Sequence, residues 1–295
     1  MPDYGYAVLS ALLWAASAPV INHGLDKLPQ QHRVRWISLG LFIALFTGAI
    51  ALLPFLWIIQ APVEVNTYLV LAGLLTFPLA TGTYYLSGEA FSGRMEFASQ
   101  FSKIKPLLSF LLAAFVLHET MSQQSLISVS LIALGTVIFI WGATSHVLSG
   151  KGVVFGLLAA VFWALGELFM KLGIAGNHPI LANWVAIVSG MFVFGAIALP
   201  GYKKVTGEAK IFPMLWPFVV HGIVSFSVAY SLFFYSINQI GLAHTVLINA
   251  FWPILSILVT AIIRLIRGQA LDIPKILMLA SVILLLGSLF ETISL

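Results

Sequence analysis

"LLAAVFWALGELFMKLGI", residues 157–174, reads as an apolar helix that repeats one already passed. Near the start of the chain, "LSALLWAASAPVINHGL" (9–25) has the same frame, with Trp14 over Trp163 and Gly24 over Gly173. Three more pairs follow in order. "LAGLLTFPLATGTYYLS" (71–87) aligns with "VHGIVSFSVAYSLFFYS" (220–236) through Gly73 and Gly222 and through Phe77 and Phe226. "KIKPLLSFLLAAFVL" (103–117) aligns with "NAFWPILSILVTAII" (249–263) when Pro106 is set over Pro253. "LIALGTVIF" (131–139) aligns with "SVILLLGSLF" (281–290) around Gly135 and Gly287. The chain thus divides into two similar halves, 1–145 and 150–295.

Composition fixes the medium. Hydrophobic residues make up 60% of the chain and charged residues 8%, against about 25% charged in a soluble domain. A chain this poor in charge cannot cover itself with a polar surface, so an integral membrane protein is expected. Ten apolar segments are near the roughly 20 residues that span a bilayer. They cover about 5–24, 34–57, 66–88, 97–118, 125–144, 152–174, 180–200, 212–236, 243–264 and 273–292. The predicted fold is an all-α bundle of ten transmembrane helices in two five-helix repeats. An odd number of spans inserts the two repeats in opposite directions, the inverted arrangement of secondary transporters, whose sites lie near the midplane between repeats. The first segment lacks a basic leader and an A-x-A exit, so it reads as a helix of the bundle rather than a signal peptide.

Charge supports the inversion. Every Lys and Arg other than Lys103, Lys105 and Lys171 falls in loops or helix ends on one face, the face reached after the first helix. The positive-inside rule makes that face cytoplasmic and puts both termini outside. The cell membrane expected is a bacterial or archaeal inner (plasma) membrane. The basic residues form no patch, which argues against nucleic acid. No Walker motif is present, so ATP is not expected to act. No cofactor is expected, and a monomer is.

Enzyme signatures are missing. "HETMS" (118–122) has Ser122 where a zinc-binding H-E-x-x-H needs its second His. "SGEAFSG" lacks the Ser-centred pattern of a nucleophile elbow. With seven dispersed His and no Cys, no metal site is expected. A channel would need a polar lining or a filter loop, and none is visible.

The repeated "LLWA" and "VFWA" openings, with "KP" and "WP" in the fourth and ninth helices, resemble the drug/metabolite transporter superfamily, in particular its EamA-type carriers. The resemblance covers essentially the whole chain. It implies a carrier working by alternating access on a small-molecule substrate, with the Trp-Pro face of the ninth helix lining the central cavity. It also implies cytoplasmic termini, the reverse of what the charges imply.

Charges inside helices are rare and functional by default. Lys103 and Lys105 stand about 200° apart around a helix and cannot share a cavity. On the Pro106–Pro253 alignment, Ser102 falls over Asn249, Lys105 over Trp252 and Ser109 over Ser256, so Lys105 is the expected substrate-facing charge. Lys103 is expected to pair with Glu96 or Glu89, or to reach the membrane edge. Trp163, Glu167 and Lys171 are spaced four apart on one helix face, so Glu167 is expected either to pair with Lys171 or to carry a coupling proton. The small multidrug-resistance relatives, with a first-helix glutamate, favour the second role by analogy. The first-half counterpart of Glu167 is Ala18, so the site is asymmetric. Trp14, Tyr84, Tyr85, Trp163 and Trp252 complete the substrate-binding set with Lys105, Glu167, Asn249, Ser102 and Ser109. Export of amino acids or related metabolites is the leading expectation. An organic-anion or phosphorylated-metabolite exchanger with Lys105 as counter-charge comes second, and a non-transport membrane enzyme a distant third.

Overall fold

A computed structural model describes residues 4–60, 65–91, 101–144, 149–200, 212–252 and 275–294, and residues 254, 255, 258, 259, 262 and 266. Among them there is helix and no strand. The helices are α1 (Gly5–Asp26), α2 (Arg33–Ile59), α3 (Thr67–Ala90), α4 (Lys105–Phe115), α5 (Gln123–Thr144), α6 (Gly150–Ile174) and α7 (Pro179–Ala198). Then α8 runs from Phe212, and α10 covers Lys275–Ser294. Gly241, with φ of 87°, breaks the helix Tyr230–Asn249, and the part beyond it, 242–249, is α9. The expected start of the ninth helix, at 243, lies two residues past that break.

Seven helical stretches among the described residues are long and apolar enough to cross a membrane. α4 and α10 are described over shorter apolar runs, and most of residues 253–274 lie outside the described residues. Apolar residues surround these helices instead of forming one stripe, as expected where lipid replaces water. Trp57, Phe115, Trp141 and Ile293 are accordingly exposed on the bundle's outside.

The repeats interlock. α3 packs on α6 and α7 of the second half, α8 packs on α1 and α2 of the first, and α5 pairs with α10. The close approaches need matched glycines. A Cβ on Gly73 would collide with the carbonyl oxygen of Ala186, and one on Gly222 with that of Ala44. At or just after these glycines both helices widen into π-helix, at Leu75–Thr81 and Gly222–Ala229. The causes differ. Pro78 removes an N–H from the first, while in the second the buried Asn183 of α7 donates to the carbonyls of Phe226 and Ser227 and to Ser231 Oγ.

α4 and α9 share a second irregularity. Helix gives way to a turn at 103–104 and at 250–251, in each half just before the X-Pro pair. The N–H groups of Leu107 and Leu108 both donate to the Ile104 carbonyl, at 3.1 and 3.1 Å. Those of Ile254 and Leu255 donate to the Phe251 carbonyl in the same pattern, at 3.0 and 3.3 Å. A proline has no N–H to give the carbonyl four residues back, and its ring crowds that carbonyl, which accounts for a break ahead of each X-Pro pair; α4 restarts with Pro106 in its first turn.

Contacts sort the helix ends. The start of α1 meets α8 where Tyr6 stacks on Tyr235, and the end of α6 reaches the same place where Lys171 donates to the Ile237 carbonyl. α1 therefore begins where α6 ends, and the matched helices run oppositely. At the other, basic end Arg33 pairs with Glu89, and Ser87 donates to the Gly152 carbonyl.

Candidate functional site

The central charged group is assembled from both halves. Lys105, at the start of α4, reaches Glu167 on α6, with Nζ 2.5 Å from Oε1. Ser109, one turn further along α4, donates from Oγ to Glu167 Oε2. The side chains of Lys105 and Glu167 are 12% and 4% exposed, so the pair lies inside the bundle. The turn at 103–104 starts a fresh helix at Lys105, which aims Lys105 and Ser109 together at α6.

Aromatic rings wall the pair. The Lys105 ammonium lies 5.8 Å from the Trp14 ring centroid and 5.7 Å from that of Phe233. Trp14 meets the Tyr230 ring edge-on at 4.9 Å and the Phe233 ring at 5.2 Å. One turn before Glu167, Trp163 packs on Tyr84 at 5.4 Å, and Tyr84 on Tyr85 at 5.4 Å. The structure thus brings together α1, α3, α4, α6 and α8. Such walls suit an apolar or cationic portion of a ligand, and the ion pair suits polar ends of either sign.

α9 joins through Asn249. Its buried amide donates to the Ala7 carbonyl at 3.0 Å and to Ser10 Oγ at 3.1 Å, tying the end of α9 to α1 across the halves. Asn249 is here a packing link between helices. Ser102 is buried, Tyr85 is buried, and Trp252 is half-buried. Pro253 and Ser256 lie outside the described residues, as does Glu96.

Two expected pairings and one expected placement are corrected. Glu167 does not pair with Lys171. Lys171 sits one turn nearer the bundle end and turns to Glu119, 3.8 Å away, and to the Ile237 carbonyl at 3.0 Å. Glu167 lies deeper, where Lys105 enters from α4. Lys103 does not pair with Glu89, because Glu89 is held by Arg33 at 3.1 Å. Nor does Lys103 reach the membrane edge. It is 5% exposed, its Nζ lies 2.7 Å from the Phe139 ring centroid on α5, and it has no hydrogen-bond partner among the described residues. The break at 103–104 separates the two lysines, sending Lys103 to α5 and Lys105 to α6.

Two groups escaped sequence reasoning. Glu119, in the α4–α5 connection, accepts hydrogen bonds from the N–H groups of Leu242 and Ala243, both at 2.9 Å, and so caps the start of α9 from another element. Glu291 on α10 lies against His244 of α9 and Ser125 of α5. These partners are far apart in the chain, and no local spacing announces them.

A bundle of apolar helices, with matched breaks in its two halves and a buried charge pair between them, defines a multi-pass membrane transporter. The family model of the EamA-like transporter family matches residues 2–141 and again residues 150–291, and the chain belongs to that family. It is therefore a transporter of the drug/metabolite transporter superfamily. No curated protein matches the chain by sequence. Among solved structures, a crystal structure titled only as that of a protein superposes with a TM-score of 0.74 at 14% identity. The match covers 99% of this chain and 96% of that one, and at this identity it speaks for the fold alone.

Proposed function

We propose that this chain is a secondary carrier of small polar or amphipathic metabolites, working by alternating access between two inverted five-helix repeats, 1–145 and 150–295. Export of amino acids or related metabolites is the use the site supports best. The carrying observation is the Lys105–Glu167 pair with its Ser109 donor and its walls of Trp14, Phe233 and Trp163. A zwitterion can exchange partners with such a pair, its carboxylate taking Lys105 and its ammonium taking Glu167, while the aromatic walls receive its side chain. In a low-dielectric interior each charge needs a partner, so the pair also shields itself when no substrate is bound. Exchange of an anion alone fits less well, because Glu167 already neutralises Lys105. Glu167 is the coupling carboxylate in this reading. A proton on it frees Lys105 and competes with the substrate's ammonium.

The account includes ten spans, a single chain sufficient for one complete site, and both termini outside. A C-terminal reporter that fluoresces only in the cytoplasm is then dark, and bright fluorescence reverses the orientation. The functional test is a ligand screen by thermal stabilisation of purified protein, comparing amino acids, nucleotide sugars, phosphorylated sugars and quaternary amines. Amino acids should raise Tm by mass action. Stabilisation by phosphorylated sugars alone would replace this reading with the anion exchanger.

A further inference from the structure

Elements that build the central site meet again at the corner where α8 turns into α9. The corner is at Gly241, with φ of 87°. A helix end on one side and a helix start on the other leave backbone groups without helical partners. In a bundle surrounded by lipid, other groups of the protein must satisfy them. On the α8 side, Lys171 from α6 donates to the Ile237 carbonyl at 3.0 Å. On the α9 side, Glu119 from just past α4 accepts from the Leu242 and Ala243 N–H groups, both at 2.9 Å. Within the corner Thr245 Oγ1 donates to the Gly241 carbonyl. The carboxylate also lies where a side chain on residue 241 would go, since a Cβ there would stand 3.0 Å from Glu119 Oε2.

The ending of α4 sets where Glu119 stands. His118 takes a left-handed backbone, with φ of 53°, and the Glu119 N–H returns to the Ala113 carbonyl at 3.1 Å. α4 thus carries Lys105 at its start and delivers Glu119 past its end. α6 carries Glu167 and, one turn further out, Lys171. Glu119 and Lys171 face each other at 3.8 Å, with side chains 17% and 28% exposed. This pair reverses the polarity of the central one, where α4 supplies the cation. Sliding α4 along α6 would bring Lys105 towards Lys171, like charge to like, whereas parting the elements does not. The outer pair is also wetter than Lys105–Glu167, so water can take over its hydrogen bonds when it parts.

We propose that Glu119 and Lys171, clamped on the α8–α9 corner, form the gate of the central site at the end of the bundle opposite the basic loops. The inference rests on the carrier reading of that site. Four elements converge on this corner, and the same four carry Lys105 and Ser109, Trp163 and Glu167, Phe233, and Asn249. Access from that end requires them to separate there, and the clamp is what holds them together. Asn249 passes the movement of α9 on to α1, whose Ala7 carbonyl it holds. Glu119 is in this account a positioning residue: it fixes the start of α9 and touches no substrate.

The chain has no cysteine, so each reporter is a single new thiol, labelled by a water-soluble maleimide on the purified protein. Val246→Cys, one turn into α9 and 1% exposed, reads opening of the corner. Ala11→Cys, wholly buried on α1 one turn before Trp14, reads access to the site itself. Ala159→Cys, wholly buried nearer the basic end of α6, reads general loosening, and the exposed Gln124→Cys reads the reagent. Adding Glu119→Ala should speed labelling of both Val246→Cys and Ala11→Cys about fivefold or more, the effect typical of losing a helix cap. Ala159→Cys should be unchanged. Lys171→Met removes one hydrogen bond and should speed the same two reporters less. An unchanged Val246→Cys rate in either variant overturns the proposal. So does a rise at Val246→Cys without one at Ala11→Cys, which is fraying of α9 alone, or an equal rise at Ala159→Cys. If Glu119→Ala does not fold, Glu119→Gln serves. It keeps one acceptor for α9 and loses the charge facing Lys171, so both reporters should still quicken, and no change counts against the gate. No substrate enters these measurements, so their failure strikes the gate and leaves the carrier reading, whereas a failed ligand screen strikes the carrier reading.

Discussion

α1 and α6 occupy matched places in the two halves, yet α1 has Ala18 where α6 has Glu167. α4 and α9 break at matched points, yet α4 follows its break with Lys105 and α9 with Trp252. The scaffold is repeated and the charges are not. The repeated features are the ones that let helices approach and bend: Gly73 with Gly222, the two π-helical stretches, and the turns before Pro106 and Pro253. A repeated scaffold lets both halves bend at matched points. The unrepeated charges make the buried pair asymmetric, with the anion on one half and the cation on the other.

The largest effect expected is at the charge pair. Lys105→Met or Glu167→Met alone should destabilise the protein by about 3–5 kcal/mol, because each leaves one buried charge without a partner. The double change should recover most of that loss, read as thermal unfolding of the three variants. Additive losses would mean that the two residues do not act as a pair. Glu167→Gln should abolish proton-driven uptake and also weaken substrate exchange, as measured in proteoliposomes.

Next come the matched glycines. Gly73→Ala and Gly222→Ala should each cost about 1–3 kcal/mol through overpacking against a facing carbonyl. Similar losses at both positions support the repeated scaffold, whereas a loss at one alone would break the comparison.

The π-helical stretches should respond differently to the same kind of change. Asn183→Ala should destabilise the protein by about 1–3 kcal/mol, since three acceptors in and just after the second stretch lose their donor. The first stretch rests on Pro78 and should be indifferent to α7. Hydrogen exchange in Gly222–Ala229 should quicken while Leu75–Thr81 is unchanged.

The smallest effect concerns His178, in the α6–α7 connection. Its Nδ1 accepts from the Ile180 N–H, and its Nε2 lies 3.0 Å from the Tyr235 hydroxyl. Burial lowers its pKa from the usual 6.5. Because the folded state favours the neutral ring, the stabilisation is present above about pH 6.5 and is lost as pH falls through the lowered value. Mild acidification should therefore raise exchange at the Ile180 amide, and His178→Asn, which keeps a capping acceptor, should remove that dependence.

The sequence showed the repeat, the apolar spans and the residue types of the central site, because helical periodicity and prolines are local signals. Lys105 stood out from Lys103 through the alignment with Trp252. Its partner did not, because the Lys105–Glu167 contact depends on how α4 lies against α6. Local spacing pointed Glu167 to Lys171, and packing overruled it. Glu119 and Glu291 were passed over for the same reason: their partners are the start of α9 and a histidine on another helix. The π-helical stretches went unread, since neither Pro78 nor Asn183 entered the sequence reading.

The central claim is that the Lys105–Glu167 pair between the halves is the substrate site. The direct measurement is thermal stabilisation by amino acids of the parent and of the folded Lys105→Met, Glu167→Met double variant. The account predicts a concentration-dependent rise in Tm for the parent and none for the double variant. An equal rise in both would contradict it.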